Sequence, residues 1–283
     1  MKIFLTGGTG FIGSHVLKQL IDSDIEVIAH RRKESSSPNI SIEGPVNWLT
    51  KPVSDIAPLD FAGVDVLLHL ASHSVQYPFD TLEKNIHFNV VEPLSMFDKA
   101  HQSGVTKFVV AGSCFEYGSS GERHDYIPTE APLEPTNDYA TSKAMSYLAF
   151  RQFALNKGVS LSYQRIFHAF GEGQPENRLW PSIKNAAREG KDLELTPGEQ
   201  IRDFIPVEEV AKKLIRASSN IKDLDKVILV ENVGSGSPQS ISEFSKYWWE
   251  FWGATGTLKL GALPYRDHEV MRFVPEKLND KNE

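Results

Sequence analysis

The chain has 283 residues, 40% of them hydrophobic and 24% charged, with 30 Lys and Arg against 37 Asp and Glu for a formal net charge of −7. That composition excludes a disordered, collagen-like or repeat-biased chain. The acidic balance gives no net-positive field for nucleic acid or an anionic membrane, so any phosphate must be met by a local site.

Met1 to Gly7 lacks the long apolar core of a signal peptide, and Ile3-Phe4-Leu5 reads as a short buried strand closed by glycines. Phe11 to Ile21 carries apolar residues at helical spacing, and Glu26 to Ala29 reads as a second strand. Val64 to Ala71 predicts another strand and is far shorter than the roughly 20 residues that cross a bilayer. Leu82 to His101 predicts a long helix interrupted or kinked at Pro93. Lys107 to Ala111 is again a strand, Tyr139 to Lys157 a helix, and Val159 to Ile166 a strand. Strands alternating with helices predict an α/β fold built on a Rossmann-type doubly wound parallel sheet.

Beyond about Phe167 the texture changes: Gly171 to Pro175 is a loop, followed by short strands, prolines and helices such as Val207 to Ser218. The expected division is a dinucleotide-binding domain over 1–166 and a smaller substrate domain over 167–283, partly interleaved with the first. A single cysteine, Cys114, excludes an intramolecular disulfide, and no Cys/His cluster has zinc spacing. We therefore expect no metal and a cytoplasmic location.

Thr6 to Gly13 lies between the first strand and the first helix. Gly7 and Gly10 let the backbone turn sharply beside a pyrophosphate, and Gly13 lets the helix pack closely. The helix N-terminus offers N–H groups and a positive dipole end to the phosphates. Gly7, Thr9, Gly10, Phe11 and Ile12 are the candidate cofactor contacts here. The second strand ends in Ala29-His30-Arg31-Arg32-Lys33, with no carboxylate before Glu34. A ribose 2′-hydroxyl is usually held by an acid at this point and a 2′-phosphate by a cation. Arg31 or Arg32 could take the phosphate, so NADP(H) is favoured over NAD(H).

Tyr139 and Lys143 are four residues apart, hence on one helical face. A nearby ammonium is expected to lower the Tyr139 pKa towards the range of a general acid. Ser113 follows the strand ending at Ala111, where a parallel sheet places ligand-binding residues. Its hydroxyl could hold a carbonyl oxygen while Tyr139 donates the proton.

With these motifs the sequence resembles the extended short-chain dehydrogenases/reductases that act on nucleotide sugars. The resemblance rests on Thr6 to Gly13, His69-Leu70-Ala71, Ser113 before Tyr117-Gly118, Tyr139 with Lys143, Arg165 to Gly171, and Gly198 to Phe204. It implies Ser113, Tyr139 and Lys143 as the catalytic triad, with Tyr139, Lys143, Leu70 and Ala71 also touching cofactor. It further implies Arg202 and Arg266 on the nucleotide diphosphate, Glu269 on the nucleotide ribose, Asn177 and Leu179 beside the substrate, and a homodimer. His168 stands where many epimerases have Asn; it either donates to a phosphate or sugar hydroxyl or simply fills the position. His73, after the Ala71-Ser72 strand end, is weighed evenly as a substrate contact.

Sugar 4,6-dehydratases carry an Asp-Glu pair directly after the catalytic Ser or Thr, whereas this chain has Cys114 and Phe115, with Glu116 one place too late. A 4,6-dehydratase is therefore not expected, and Cys114, one residue after the serine, reads as a packed small residue. The second half is similar to bacterial nucleotide-sugar 4-ketoreductases, including the dTDP-linked 6-deoxyhexose and CDP-linked 3,6-dideoxyhexose branches of surface-polysaccharide synthesis. The supporting segments are Gly173 to Asn177, Asn232 to Gly236, and Pro264 to Glu269. Such enzymes commonly continue into a Leu-Gly-Trp-containing closing segment that this sequence lacks. The expected activity is NADPH-dependent reduction of a nucleotide-linked 4-keto-6-deoxyhexose. The alternatives are an NAD-dependent 4-epimerase and a non-catalytic dinucleotide-binding regulator.

Overall fold

The structure, a computed structural model, describes residues 1–267 and 269–276. The strands are β1 (Lys2–Thr6), β2 (Glu26–Arg31), β3 (Trp48–Thr50), β4 (Val66–His69), β5 (Lys107–Ser113), β6 (Ser160–Ile166), β7 (His168–Phe170), β8 (Leu193–Leu195), β9 (Ile201–Pro206), β10 (Ile228–Val233), β11 (Pro238–Ser240), β12 (Leu258–Leu260) and β13 (Arg272–Phe273). The helices are α1 (Phe11–Ile21), α2 (Leu82–Ile86), α3 (Glu92–Gln102), α4 (Asp138–Lys157), α5 (Leu179–Glu189), α6 (Val207–Ile221) and α7 (Ile241–Phe251).

Seven strands form one parallel sheet in the order β10-β6-β5-β4-β1-β2-β3. The two-residue side-chain period of β1 decides its packing. Ile3 and Leu5 face one layer with Val16, Leu17 and Leu20 of α1 and Leu214 of α6, whereas Phe4 faces Phe97 of α3 and Phe150 of α4. Both sheet faces are thus covered, which is why the strands read as continuous apolar runs. From β1 the chain runs outward through β2 and β3, then returns to β4 and continues on the other side. The crevice at this reversal, beyond the C-terminal ends of β1 and β4, is where open α/β sheets bind ligands.

The remaining strands form a small sheet, with β9 between β11 and β13 and also paired to β7, and a two-stranded β8–β12 ladder. The β10 strand comes from beyond residue 166 yet closes the edge of the large sheet.

The helix expected over Leu82 to His101 is instead three pieces. A π-helical turn over His87–Val91 separates α2 from α3, and Pro93 sits in the first turn of α3. Proline has no N–H for the carbonyl four residues back, that of Asn89. The Ser146 hydroxyl of α4 donates to that carbonyl instead, at 2.8 Å. Sequence patterning also passed over β3, a three-residue edge strand too short to show a period. Among the described residues no helix is long and apolar enough to cross a membrane, and no cluster of His, Cys, Asp and Glu could hold a metal ion.

Candidate active site

The glycine turn after β1 is shaped by close approach. Gly7 has φ of 76°, and a Cβ there would lie 2.6 Å from the Ala71 nitrogen; one on Gly13 would lie 1.9 Å from the Gly7 carbonyl oxygen. Side chains at either position would push β1, the Leu70-Ala71 segment and α1 apart. Gly10 caps α1 without any side-chain partner, and no acidic residue lies in the first turn. Thr9, Phe11 and Ile12 are half-buried around that helix start. A narrow glycine cradle against an uncapped helix N-terminus fits a dinucleotide pyrophosphate.

Beside the cradle, the Thr6 hydroxyl lies 2.8 Å from His69 Nδ1 and accepts from the Ala71 N–H at 3.3 Å. Burial drives the His69 imidazole down to about 3, so this histidine is a neutral structural group. At the end of β2, Arg31 lays its guanidinium over Trp48 at 5.0 Å and donates from Nε to Thr50 at 2.9 Å. Its terminal N–H groups make no hydrogen bond among the described residues. Arg32 is exposed and forms no ion pair among them.

Ser113 ends β5 and caps the short 3-10 turn Cys114–Glu116, its hydroxyl accepting from the Phe115 N–H at 3.2 Å. Asn137 caps α4 by accepting from the Ala140 N–H at 2.9 Å, which places Tyr139 in the first turn and Lys143 one turn later. The Lys143 ammonium donates to the Ala111 carbonyl at 2.7 Å. Burial pushes Lys143 down to about 8, and the nearby Glu116 carboxylate pulls it back up. Tyr139 is buried under Phe79, whose ring stacks on it at 5.7 Å.

The expected lowering of Tyr139 by Lys143 is not what the geometry gives. Burial raises the phenol to about 12, and the Ser72 and Ser113 hydroxyls, not the ammonium, are the groups pulling it back. Tyr139 is therefore a neutral phenol, the proton-donating form. Cys114 is buried, and its thiol is pushed up to about 12, so it is inert packing.

The predicted substrate residues reach this centre unequally. Asn177 joins residues 73–80 in lining a cleft of about 700 Å³. Leu179 packs with Trp180 in an aromatic cluster under α5 and α7. His73 is tied by its N–H to Asn89 at 2.7 Å and by Nε2 to Asp80 at 3.1 Å. His168 is half-buried, its Nδ1 shut from solvent and without a partner among the described residues. Burial, then Arg202 and Arg178, hold its imidazole well below the usual range and hence neutral. Arg202 bonds Glu269 at 2.7 Å and the Val270 carbonyl at 2.7 Å, and Arg266 is exposed over the Tyr77 ring at 5.2 Å. Arg202 and Glu269, expected on the diphosphate and the ribose, are thus bound to each other.

Sequence reasoning missed three residues. Arg178 donates to the Val75 carbonyl on the wall of that cleft and lies in the field of both Tyr139 and Arg266. Its place beside Asn177 was the only signal. Asn89 donates to Ser142 of α4 at 2.9 Å while receiving the His73 N–H, tying the loop after β4 to the Tyr139 helix. Ser72 faces the Tyr139 hydroxyl.

A turn, a serine at a strand end and a Tyr/Lys pair therefore converge at one crevice. The comparisons agree with that geometry: a family model described as "NAD dependent epimerase/dehydratase family" matches residues 3–231. The chain belongs to this family. It is 26% identical to a CDP-abequose synthase of Salmonella typhimurium over 99% of this chain and 91% of that protein. It is 27% identical to a UDP-glucose 4-epimerase of Corynebacterium glutamicum, over 86% of this chain and 78% of the relative. Among solved structures, a UDP-N-acetylglucosamine 4-epimerase of Methanobrevibacter ruminantium, in complex with UDP-N-acetylmuramic acid, superposes with a TM-score of 0.86 at 25% identity, covering 97% of this chain and 89% of that one.

Proposed function

We propose that this member of the family reduces the 4-keto group of a nucleotide-linked 4-keto-6-deoxyhexose, a dTDP- or CDP-sugar, with NADPH. The observation that carries the reading is the meeting of Ser113 and a neutral Tyr139 phenol beside the glycine cradle, under a cluster of guanidiniums. When bound, NADPH supplies the hydride. Tyr139 gives its proton to the oxygen that gains charge, Ser113 stabilises that oxygen by a hydrogen bond, and Lys143 orients the cofactor ribose. Arg178, Arg202 and Arg266 draw a dianionic diphosphate to an otherwise acidic protein and use remote binding energy to position the reacting carbon.

Elimination of water is disfavoured because, among the described residues, no free acid stands beside Ser113: Cys114 is a buried neutral thiol and Glu116 is bound by Arg165. Likeness to the Salmonella CDP-abequose synthase supports the choice of a keto-sugar nucleotide. Arg31 and Arg32 support NADPH over NADH. On this reading the enzyme works in the cytoplasm, within surface-polysaccharide sugar synthesis. It pairs with a second copy through Phe88 and Val91 of the π-turn and Met145 and Leu148 of α4, which leave apolar surface exposed.

One observation favours a second reading, a 4-epimerase using NAD. Arg31 is already engaged with Trp48 and Thr50, which weakens its claim on a 2′-phosphate. The test is the oxidation of NADPH and NADH, followed by absorbance, with freshly made dTDP- and CDP-linked 4-keto-6-deoxyglucose. Rapid NADPH loss with slow NADH loss supports the reductase. No oxidation of either, together with interconversion of unreduced nucleotide sugars, supports the epimerase.

A further inference from the structure

The loop after β4 meets the helix of Tyr139 at its base and two arginines at its tip. At the base, the His73 N–H donates to Asn89 at 2.7 Å, and Asn89 donates to Ser142 of α4 at 2.9 Å. His73 Nε2 lies 3.1 Å from Asp80 Oδ2, and the Asp80 N–H donates to the Ser74 hydroxyl at 2.7 Å, so the two ends of the loop are pinned together. At the tip, the Val75 carbonyl accepts from Arg178, and the Arg266 guanidinium lies over the Tyr77 ring at 5.2 Å. Residues 73–80 and Asn177 line the cleft.

A row of groups from three distant parts of the chain results. Arg266 lies over Tyr77, the Tyr77 ring meets Phe79 at 6.0 Å and nearly at right angles, and Phe79 stacks on Tyr139 at 5.7 Å. Tyr77 is 63% exposed, and its hydroxyl makes no hydrogen bond among the described residues. Neither burial nor the hydroxyl therefore accounts for what this side chain does. Its ring face does: it attracts a cation and leaves the cation's N–H groups for paired bonds to phosphate oxygens. Arg266 forms no ion pair and no side-chain hydrogen bond among the described residues, and Arg178 makes only its bond to Val75. An exposed arginine otherwise samples many rotamers, and ordering it on binding costs affinity.

We propose that Tyr77 is a positioning residue for the nucleotide diphosphate: its ring face holds Arg266 at the cleft, on a loop whose base is tied to the helix that carries Tyr139. The loop thus sets the span between the diphosphate anchor and the phenol. The inference rests on the diphosphate role given to Arg266 under the proposed function.

The test measures the binding of dTDP and CDP to the full chain by calorimetry, with kcat and KM for the keto sugar alongside. Tyr77→Leu removes the ring face and keeps an apolar side chain at an exposed position. It is expected to weaken binding of the nucleoside diphosphate and to raise KM about three- to fivefold, with kcat changed little. Tyr77→Phe keeps the face and loses only the hydroxyl, so it is expected to bind as the wild type does. Arg266→Gln is expected to weaken binding about tenfold, and Tyr77→Leu added to it should cost nothing more, because the two side chains act through one contact. A Tyr77→Leu that binds as the wild type does, an equal loss in Tyr77→Phe, or losses that simply add in the double variant overturn the positioning role and leave the diphosphate reading standing. A fall in kcat at unchanged KM in Tyr77→Leu also overturns it, since the ring would then serve Tyr139. Binding of dTDP and CDP that is absent, or that is unchanged in Arg266→Gln, overturns the diphosphate reading itself and the inference with it.

Discussion

Two arginine–glutamate pairs in this molecule look alike on paper and differ in what surrounds them. Arg165 and Glu116 have side chains 2% and 0% exposed, and the carboxylate is saturated by main chain, tyrosine and guanidinium. Arg202 and Glu269 have side chains 5% and 22% exposed, and one oxygen of Glu269 is spent on Arg202. A closed pair can only hold its neighbours in place. A pair whose carboxylate is partly exposed can exchange its partner for a ligand at modest cost, because water covers the carboxylate during the exchange. On the proposed reading the first pair supports the strand end that carries Ser113, and the second is the pair that a nucleotide would meet.

The sharpest way to break this contrast is Arg165→Met. It leaves Glu116 buried without its cation and is expected to cost about 3–5 kcal/mol of stability, read from the urea midpoint. A loss no larger than that of a surface substitution would remove the distinction.

Tyr139 belongs to neither pair, so Tyr139→Phe separates chemistry from both. We expect kcat to fall by about 10²–10⁴-fold, with the denaturation midpoint and the dissociation constants of cofactor and dTDP nearly unchanged.

Dependence on pH tests the charge at Lys143. Because burial lowers its pKa to about 8, the ammonium is present below that pH and lost above it. The kcat/KM for the keto sugar is expected to be level below about 8 and to fall about tenfold per unit above.

The smallest effect is that of Glu269→Gln in the open pair. It should cost about 1 kcal/mol of stability or less and weaken dTDP binding up to about tenfold, measured by calorimetry.

Much of the large sheet was legible because each strand is a short apolar run and each crossover helix carries its own period. Tyr139 and Lys143 were legible for the same local reason, four residues on one helix. The pieces that escaped are held by contacts distant in sequence. Glu116 lies 49 residues from Arg165 and Asn89 lies 53 from Ser142, so no window of sequence displays either bond. In sequence Glu116 reads as an acid displaced by one position; its buried partners, the Ser113 N–H, the Tyr163 hydroxyl and Arg165, come together only in the fold. Pro93 marks the break in the sequence, yet the carbonyl it leaves free is met by Ser146, a residue of another helix. For Arg178 the sequence offered a basic residue in a loop; only folding brings it into the field of Tyr139.

The central claim is that this crevice delivers hydride to carbon 4 of a nucleotide-linked keto sugar while Tyr139 protonates the oxygen. The most direct measurement uses NADPH deuterated at the transferable position with dTDP-4-keto-6-deoxyglucose, and locates the label in the product by NMR. Deuterium at carbon 4 of the sugar, delivered in a single orientation, is the predicted result. A product without deuterium at carbon 4, or no product from a protein that binds NADPH, would contradict it.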